Sequence, residues 1–328
     1  DLVFKATNNN NVLGTTAKSR VSLDINGKII NSYDYPQVYT SWQYLFSILR
    51  EQISNDDYFM GFKFVIIMEI EIFQIDAFTS ELFKGNPACV MPLDSWLPDE
   101  LLLNIAKENN VSETAFFVKK NNGFNLRWFT PEIEMDLCGH ATLATAYCLK
   151  NHLDFKEDQV IFNSISGELI VKFDEDYMQM DFPHRKPISS ELPKNIMDSL
   201  SIKPNEVLKA RDYVLVYEDE EQIKNIEINK ELFDQINLDP GGVVITARGS
   251  ESDFVSRYFV PQCSFFEDPV TGSTHCSLVP YWSGVLKKTK LKSIQLSERG
   301  GQMFCEDLGN RVIINGKAKT YFKGKVTL

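Results

Sequence analysis

Residues 68–328 predict a mixed strand-and-helix fold built from two similar halves, preceded by a distinct segment, 1–67. Three observations carry this expectation. Arg127-Trp128-Phe129-Thr130-Pro131 is echoed 130 positions later by Arg257-Tyr258-Phe259-Val260-Pro261. Each copy leads through an acidic loop to a glycine, in Asp136-Leu137-Cys138-Gly139-His140-Ala141-Thr142 and in Glu267-Asp268-Pro269-Val270-Thr271-Gly272-Ser273-Thr274. Small and apolar residues then follow (141–149 and 274–286), as a buried helix requires. A strand, a tight loop and a central helix, written twice, imply two half-molecules.

Ahead of the repeat lie an asparagine run at 8–11, a strand-like stretch at 20–25 and the turn Asn26-Gly27. Residues 40–50 predict a helix, because Trp42, Leu45, Phe46 and Leu49 recur at helical spacing. Its Thr-Ser-Trp-x-x-Leu start resembles an internal piece of a flavin-dependent monooxygenase, but no Gly-x-Gly-x-x-Gly follows a strand and no flavin site is assigned. Six basic and six acidic side chains balance in 1–67, so the whole net charge of -11 belongs to 68–328. The segment reads as an appended piece without a catalytic role. Met68 then opens an alternating strand that runs to Phe78.

Composition narrows the function. With 43% hydrophobic and 24% charged residues the chain is globular, and long enough for two cores. The acidic balance argues against nucleic acid or an anionic membrane as partner, since both reward clustered Lys and Arg. Six cysteines without a C-x-x-C spacing argue against a disulfide framework and for a reducing compartment. Four histidines form no H-x-x-x-H pair, and the neighbours His275 and Cys276 alone make no metal site. There is neither an apolar run of about eighteen residues nor the order of a signal peptide, so a cytoplasmic location is expected.

The two glycine loops point to an anion pocket. Glycine permits a sharp turn, and the helix that follows presents unpaired N–H groups and a positive dipole end. Two such ends facing each other would grip a carboxylate. Cys138, His140, Asp268 and Ser273 lie beside them as proton-handling groups. Asp136 and Asp268 also fit a purely structural role as helix caps. A third element is the helix begun by Leu97-Pro98-Asp99-Glu100 and running to about Asn109, followed by a strand entered through Asn110-Val111-Ser112-Glu113-Thr114. Glu113, at the helix-to-strand turn among apolar residues, would be partly desolvated and suited to general-base work. From spacing alone, a capping or solvated glutamate stands beside that reading.

Residues 69–78, the turn Phe83-Lys84-Gly85-Asn86-Pro87-Ala88, the Asn-Val-Ser-Glu-Thr turn and both glycine loops closely resemble the PhzF-like family of phenazine biosynthesis. Gln295-Leu296-Ser297-Glu298-Arg299-Gly300-Gly301 and the stretch 311–316 agree, in the same order, so the resemblance spans 68–328. It implies an α+β, diaminopimelate-epimerase-like fold: two halves, each a barrel-like, mostly antiparallel sheet around a central helix. The halves would be 68–183, with the C-terminal strand 320–328 available to complete it, and 184–319. It further implies a homodimer, no cofactor and no metal, and a small carboxylate-bearing substrate. Glu113 corresponds to the family's acid/base, which shifts a proton within a dihydro-hydroxyanthranilate. His140, Asp268 and Ser273 correspond to positions flanking that substrate, and Gly139, Gly272 and Asn86 to substrate-binding positions. Thr274 departs from the alanine usual in this loop.

Two other functions compete. A racemase or epimerase needs acid/base groups on both faces of one carbon, and the related diaminopimelate epimerases use two cysteines. Cys138 precedes a glycine as the first of those does, but the second loop holds Asp268 and no matching cysteine, which disfavours paired thiols. Cys138 then reads as a small buried apolar residue. A catalytically silent small-molecule-binding protein would also keep the pocket.

Overall fold

The computed structural model describes residues 68–328 except 121, 175–176, 239–240 and 264, together with the backbone of four short strands earlier in the chain. The chain divides into two compact units, Asp1–Ile66 and Ile67–Leu328. In the first, β1 (Phe4–Lys5) pairs with β2 (Val12–Leu13), and β3 (Arg20–Leu23) pairs antiparallel with β4 (Ile29–Tyr33). The strand expected near 20–25 is β3, and the turn sequence Asn26-Gly27 falls between it and β4. The helix expected at 40–50 lies outside the described residues.

The second unit is built twice over. Its first half has β5 (Glu69–Ala77), β6 (Asn86–Leu93), β7 (Glu113–Lys120), β8 (Gly123–Phe129), β9 (Glu134–Met135), β10 (Gln159–Ser164), β11 (Gly167–Phe173) and β12 (Met178–Pro183). The second half has β13 (Ile188–Ser189), β14 (Glu206–Lys209), β15 (Tyr213–Val216), β16 (Val243–Arg248), β17 (Phe254–Phe259), β18 (Glu267–Asp268), β19 (Lys290–Gln295), β20 (Gly301–Asp307) and β21 (Arg311–Gly316). The last strand, β22 (Ala318–Thr327), returns to pair with β5 as β13 pairs with β14.

The pairings repeat strand for strand. β6 and β7 run parallel, as do β15 and β16. β8 lies antiparallel to β7 and parallel to β10, and β17 lies antiparallel to β16 and parallel to β19. The antiparallel pair β12–β21 joins the halves. Most other neighbours are antiparallel, which gives the expected α+β architecture.

Helices fill the crossovers. In the first half these are α1 (Asp99–Asn109) and the central α2 (Gly139–His152). In the second they are α3 (Lys194–Ser199), α4 (Glu220–Asn225), α5 (Lys230–Phe233) and the central α6 (His275–Leu286). α1 starts with Asp99 and Glu100 against its dipole and ends at Asn110, left-handed at φ 48°. Leu102, Ile105 and Ala106 bury one stripe of it. α2 is different: its residues 139–146 are all buried, so it has no solvent face over that stretch. There the hydroxyls of Thr142 and Thr145 donate to the carbonyls of Cys138 and Ala141, which satisfies them within the helix. Both central helices pack into one apolar core that draws residues from both halves.

The echoed strand endings have a common physical purpose. Arg127 makes a two-pronged salt bridge to Glu134, with both contacts at 2.6 Å, and its guanidinium lies 5.1 Å over the Phe129 ring. Arg257 does the same with Glu267, at 2.7 and 2.8 Å, and lies 5.0 Å over Phe259. All six cysteines are free thiols. Among the described residues no helix is long and apolar enough to cross a membrane.

Candidate active site

The two central helices meet end to end at their glycines. A Cβ added to Gly139 would stand 3.8 Å from the Cα of Gly272 and 3.3 Å from the Phe182 ring. One added to Gly272 would stand 3.2 Å from the Phe78 ring. Neither helix start is capped by a side chain. Asp136 is exposed, and the carboxylate of Asp268 turns to other partners, so the capping role open to both in the sequence is not taken up. The start of α6 is drawn out by a tighter turn: the N–H groups of His275, Cys276 and Ser277 donate three residues back, to Gly272, Ser273 and Thr274.

Around this junction four elements deliver polar side chains. Asn86 is the first residue of β6, Glu113 the first of β7 and beside Ala88 in register, His140 lies in the first turn of α2, and Asp268 ends β18. Nε2 of His140 lies 2.9 Å from Oε2 of Glu113. Nδ2 of Asn86, fully buried, donates to Oδ1 of Asp268 at 2.7 Å and to the Val270 carbonyl at 2.9 Å. Those two bonds use both amide hydrogens, which leaves Nδ1 of His140, 3.2 Å from the same nitrogen, as a contact only. Sγ of Cys138 lies 3.5 Å from Nδ1. A ring protonated on both nitrogens therefore faces an acceptor on each side.

Electrostatics favour that state. Burial disfavours a charged His140, but Cys138 and the Glu113 carboxylate outweigh it and hold the ring's pKa well above the ordinary histidine value. Burial, then the charge of Glu113, raises the Cys138 thiol. Burial above all pushes Asp268 up to about 6; Glu113 adds to this, and His140, Thr271 and Asn86 pull the other way. Although close, Glu113 and His140 are not aligned for a hydrogen bond. Oε2 of Glu113, Nε2 of His140 and Oδ1 of Asn86 are buried without a hydrogen-bond partner among the described residues. Buried polar atoms left without a partner are groups that a polar ligand would satisfy.

Glu113, His140, Asp268, Asn86, Gly139 and Gly272 thus come together. Ser273 sits in the turn that opens α6, half-buried, next to Gly272. Cys138 corrects the sequence reading: it is buried, but its thiol lies against His140 as part of the polar cluster and is no mere apolar filler. Glu113, Cys138 and His140 also bring three donor atoms within 4.8 Å of one another, a set that could hold a metal ion. Sequence reasoning missed Thr271, whose hydroxyl donates to Oδ2 of Asp268, and Gln295, which binds the same loop.

The sequence matches the family described as phenazine biosynthesis-like protein over residues 75–324. It is 47% identical over 262 residues to a Pseudomonas aeruginosa protein named "uncharacterized isomerase PA2770", spanning 80% of this chain and all of that one. A Halalkalibacterium halodurans relative named "uncharacterized isomerase BH0283" is 38% identical over 268 residues, with the same coverage. A crystal structure of a PhzF-family protein from Enterococcus faecalis superposes with a TM-score of 0.76 at 45% identity, covering 80% of this chain and all of that one. A predicted epimerase of Pseudomonas aeruginosa, at 18% identity and a TM-score of 0.60, shares the fold.

Proposed function

Because the chain belongs to the phenazine biosynthesis-like (PhzF-like) family, whose relatives carry the name isomerase, we propose a cofactor-independent proton shift within a small carboxylate-bearing metabolite, with Glu113 as acid/base. The observation that carries this reading is the Glu113 carboxylate, half-buried and 2.9 Å from a histidine that holds its proton tightly. In the proposed cycle Glu113 takes a proton from a substrate carbon and returns it to another. His140, facing that carboxylate, offers a proton to the oxygen on which charge gathers. The abutting starts of α2 and the turn into α6 would hold the substrate's carboxylate through backbone N–H groups. Asp268, with a carboxyl near 6, holds a proton at mildly acidic pH and loses it at neutral pH.

That second proton-carrying carboxyl favours epimerisation as the alternative, with Glu113 and Asp268 on opposite faces of one carbon. A metabolite screen by mass spectrometry in deuterated water tests both. Incorporation of deuterium with movement of a double bond supports the shift, and incorporation with inversion alone supports the epimerase. A native protein that neither moves a double bond nor inverts a centre beyond what Glu113→Gln does excludes both.

A further inference from the structure

The repeat makes the halves comparable position by position, and they differ most tellingly around Asp268. Trp128 lies opposite Met135 in the first half, and its counterpart Tyr258 lies opposite Asp268 in the second. Met135 and Asp268 are therefore equivalent. Phe124 lies opposite Phe162 across the parallel pair β8–β10, and its counterpart Phe254 lies opposite Ser293 across β17–β19. Phe162 thus corresponds to Ser293, and two residues on Ser164 corresponds to Gln295.

The side chains at these positions do different work. Phe162 is fully buried in the apolar core, and Ser164 closes its own turn by donating to the Gly167 carbonyl at 2.9 Å. Ser293 and Gln295, both buried, point instead at the loop that carries the acid. Ser293 bonds Nε2 of His275 at 2.7 Å, and Nδ1 of that ring donates to the Thr271 carbonyl at 2.9 Å. Gln295 grips the loop at both ends. Its Oε1 accepts from the Thr271 N–H at 2.9 Å, and its Nε2 donates to the Asp268 carbonyl at 2.7 Å and to the Thr271 hydroxyl at 3.3 Å. That hydroxyl is the one bonded to Oδ2 of Asp268. A strand that is apolar or self-closing in the half without the acid has become a polar clamp in the half with it.

We propose that Gln295 is a positioning residue for Asp268: it fixes the backbone and the Thr271 hydroxyl that aim this carboxyl at Asn86 and the Glu113–His140 pair. The inference rests on the reading that Asp268 belongs to the working site, and it is tested without turnover. The ionisable groups facing Asp268 are Glu113 from β7, His140 from α2, Tyr258 from β17 and Cys263 from the preceding loop, and none of them is changed by altering Gln295.

The experiment is a carbon-13 NMR titration of the full chain with labelled aspartate, the Asp268 signal being identified by its loss in Asp268→Asn. In Gln295→Ala the loop loosens and water reaches the carboxyl, so its midpoint should fall by about one unit towards the ordinary carboxylate range. Gln295→Glu keeps the size and the acceptor for Thr271, and serves if the alanine variant does not fold. It replaces the donor with a second acid and should move the midpoint upwards by a similar amount. Circular dichroism unchanged in either variant, with a midpoint within about 0.2 unit of the native one, overturns the proposal. Because the titration needs no substrate, failure of the isomerase reading would leave this result standing.

Discussion

Oε2 of Glu113 and Nε2 of His140 lie 2.9 Å apart, both buried, and neither is aligned to satisfy the other. A carboxylate in that position has a charged neighbour but keeps a lone pair for something else, which is what a base requires before its substrate arrives. Glu113→Gln preserves shape and removes the base. Its turnover should fall by at least about two orders of magnitude, with little change in substrate affinity. Steady-state rates on the substrate found by the screen decide this, and a fully active variant would reject Glu113.

Asp268 makes the protein's stability depend on pH in a direction that can be worked out. Burial lifts its carboxyl from 3.8 to about 6, so between those values the folded state binds more protons than the unfolded one. Its contribution is complete below the unfolded value and is lost as the pH rises through the folded one. At about 1.4 kcal/mol per unit, and with pH 4 already just above the unfolded value, the loss between about pH 4 and about pH 7 is on the order of 2 kcal/mol. Asp268→Asn lacks that term. Urea denaturation at about pH 4 and about pH 7 should show the native protein losing this much more stability than the variant over the interval. Parallel losses in the two proteins would contradict the assignment.

How far the sequence speaks depends on the range of the interaction. Arg127 and Arg257 announce the repeat because each binds a glutamate just past its own turn and covers a phenylalanine two residues on, all local arrangements that leave a pattern in the chain. α1 and the strand after it are legible for the same reason, since acid at the start and Asn110 at the end bound a single helix. The meeting of Asn86 with Asp268, 182 positions away, leaves no local trace, because it depends on the approach of the two halves. Gln295 is visible only as part of a family motif. Its grip on Asp268 exists because β19 runs parallel to β17, and no periodicity reports that register. Cys138 misleads in another way: its burial is as expected, but its neighbour His140 turns back towards it at the helix start.

The glycine junction should be sensitive to a single carbon. A methyl at Gly272 meets the Phe78 ring at 3.2 Å and fills the gap towards Gly139, in a core where neighbours give way only by a few tenths of an ångström. Gly272→Ala should cost about 1 kcal/mol of stability and leave the fold intact. It should raise KM at least about tenfold, because the methyl occupies space proposed for the substrate's carboxylate. Equal losses in kcat with KM unchanged would place the substrate elsewhere.

Residues 1–66 form one compact unit, and Ile67–Leu328 forms another that contains every residue of the candidate site. The PA2770 relative matches along its full length within 80% of this chain, so a related protein has a counterpart to the site-bearing part alone. Within that part the first and last described residues close on each other: the Met68 N–H donates to the Leu328 carbonyl at 3.0 Å, and the Leu328 N–H returns a bond to Met68 at 2.8 Å. β22 then lies along β5 through nine paired positions, tying the end of the chain to its restart at Met68. A sheet closed in this way has its terminal backbone groups satisfied from within. A protein beginning at Met68 should therefore fold, melt within a few degrees of the full chain in calorimetry, and turn over substrate at the same kcat and KM. An insoluble or inactive product would mean that the N-terminal unit supports the site.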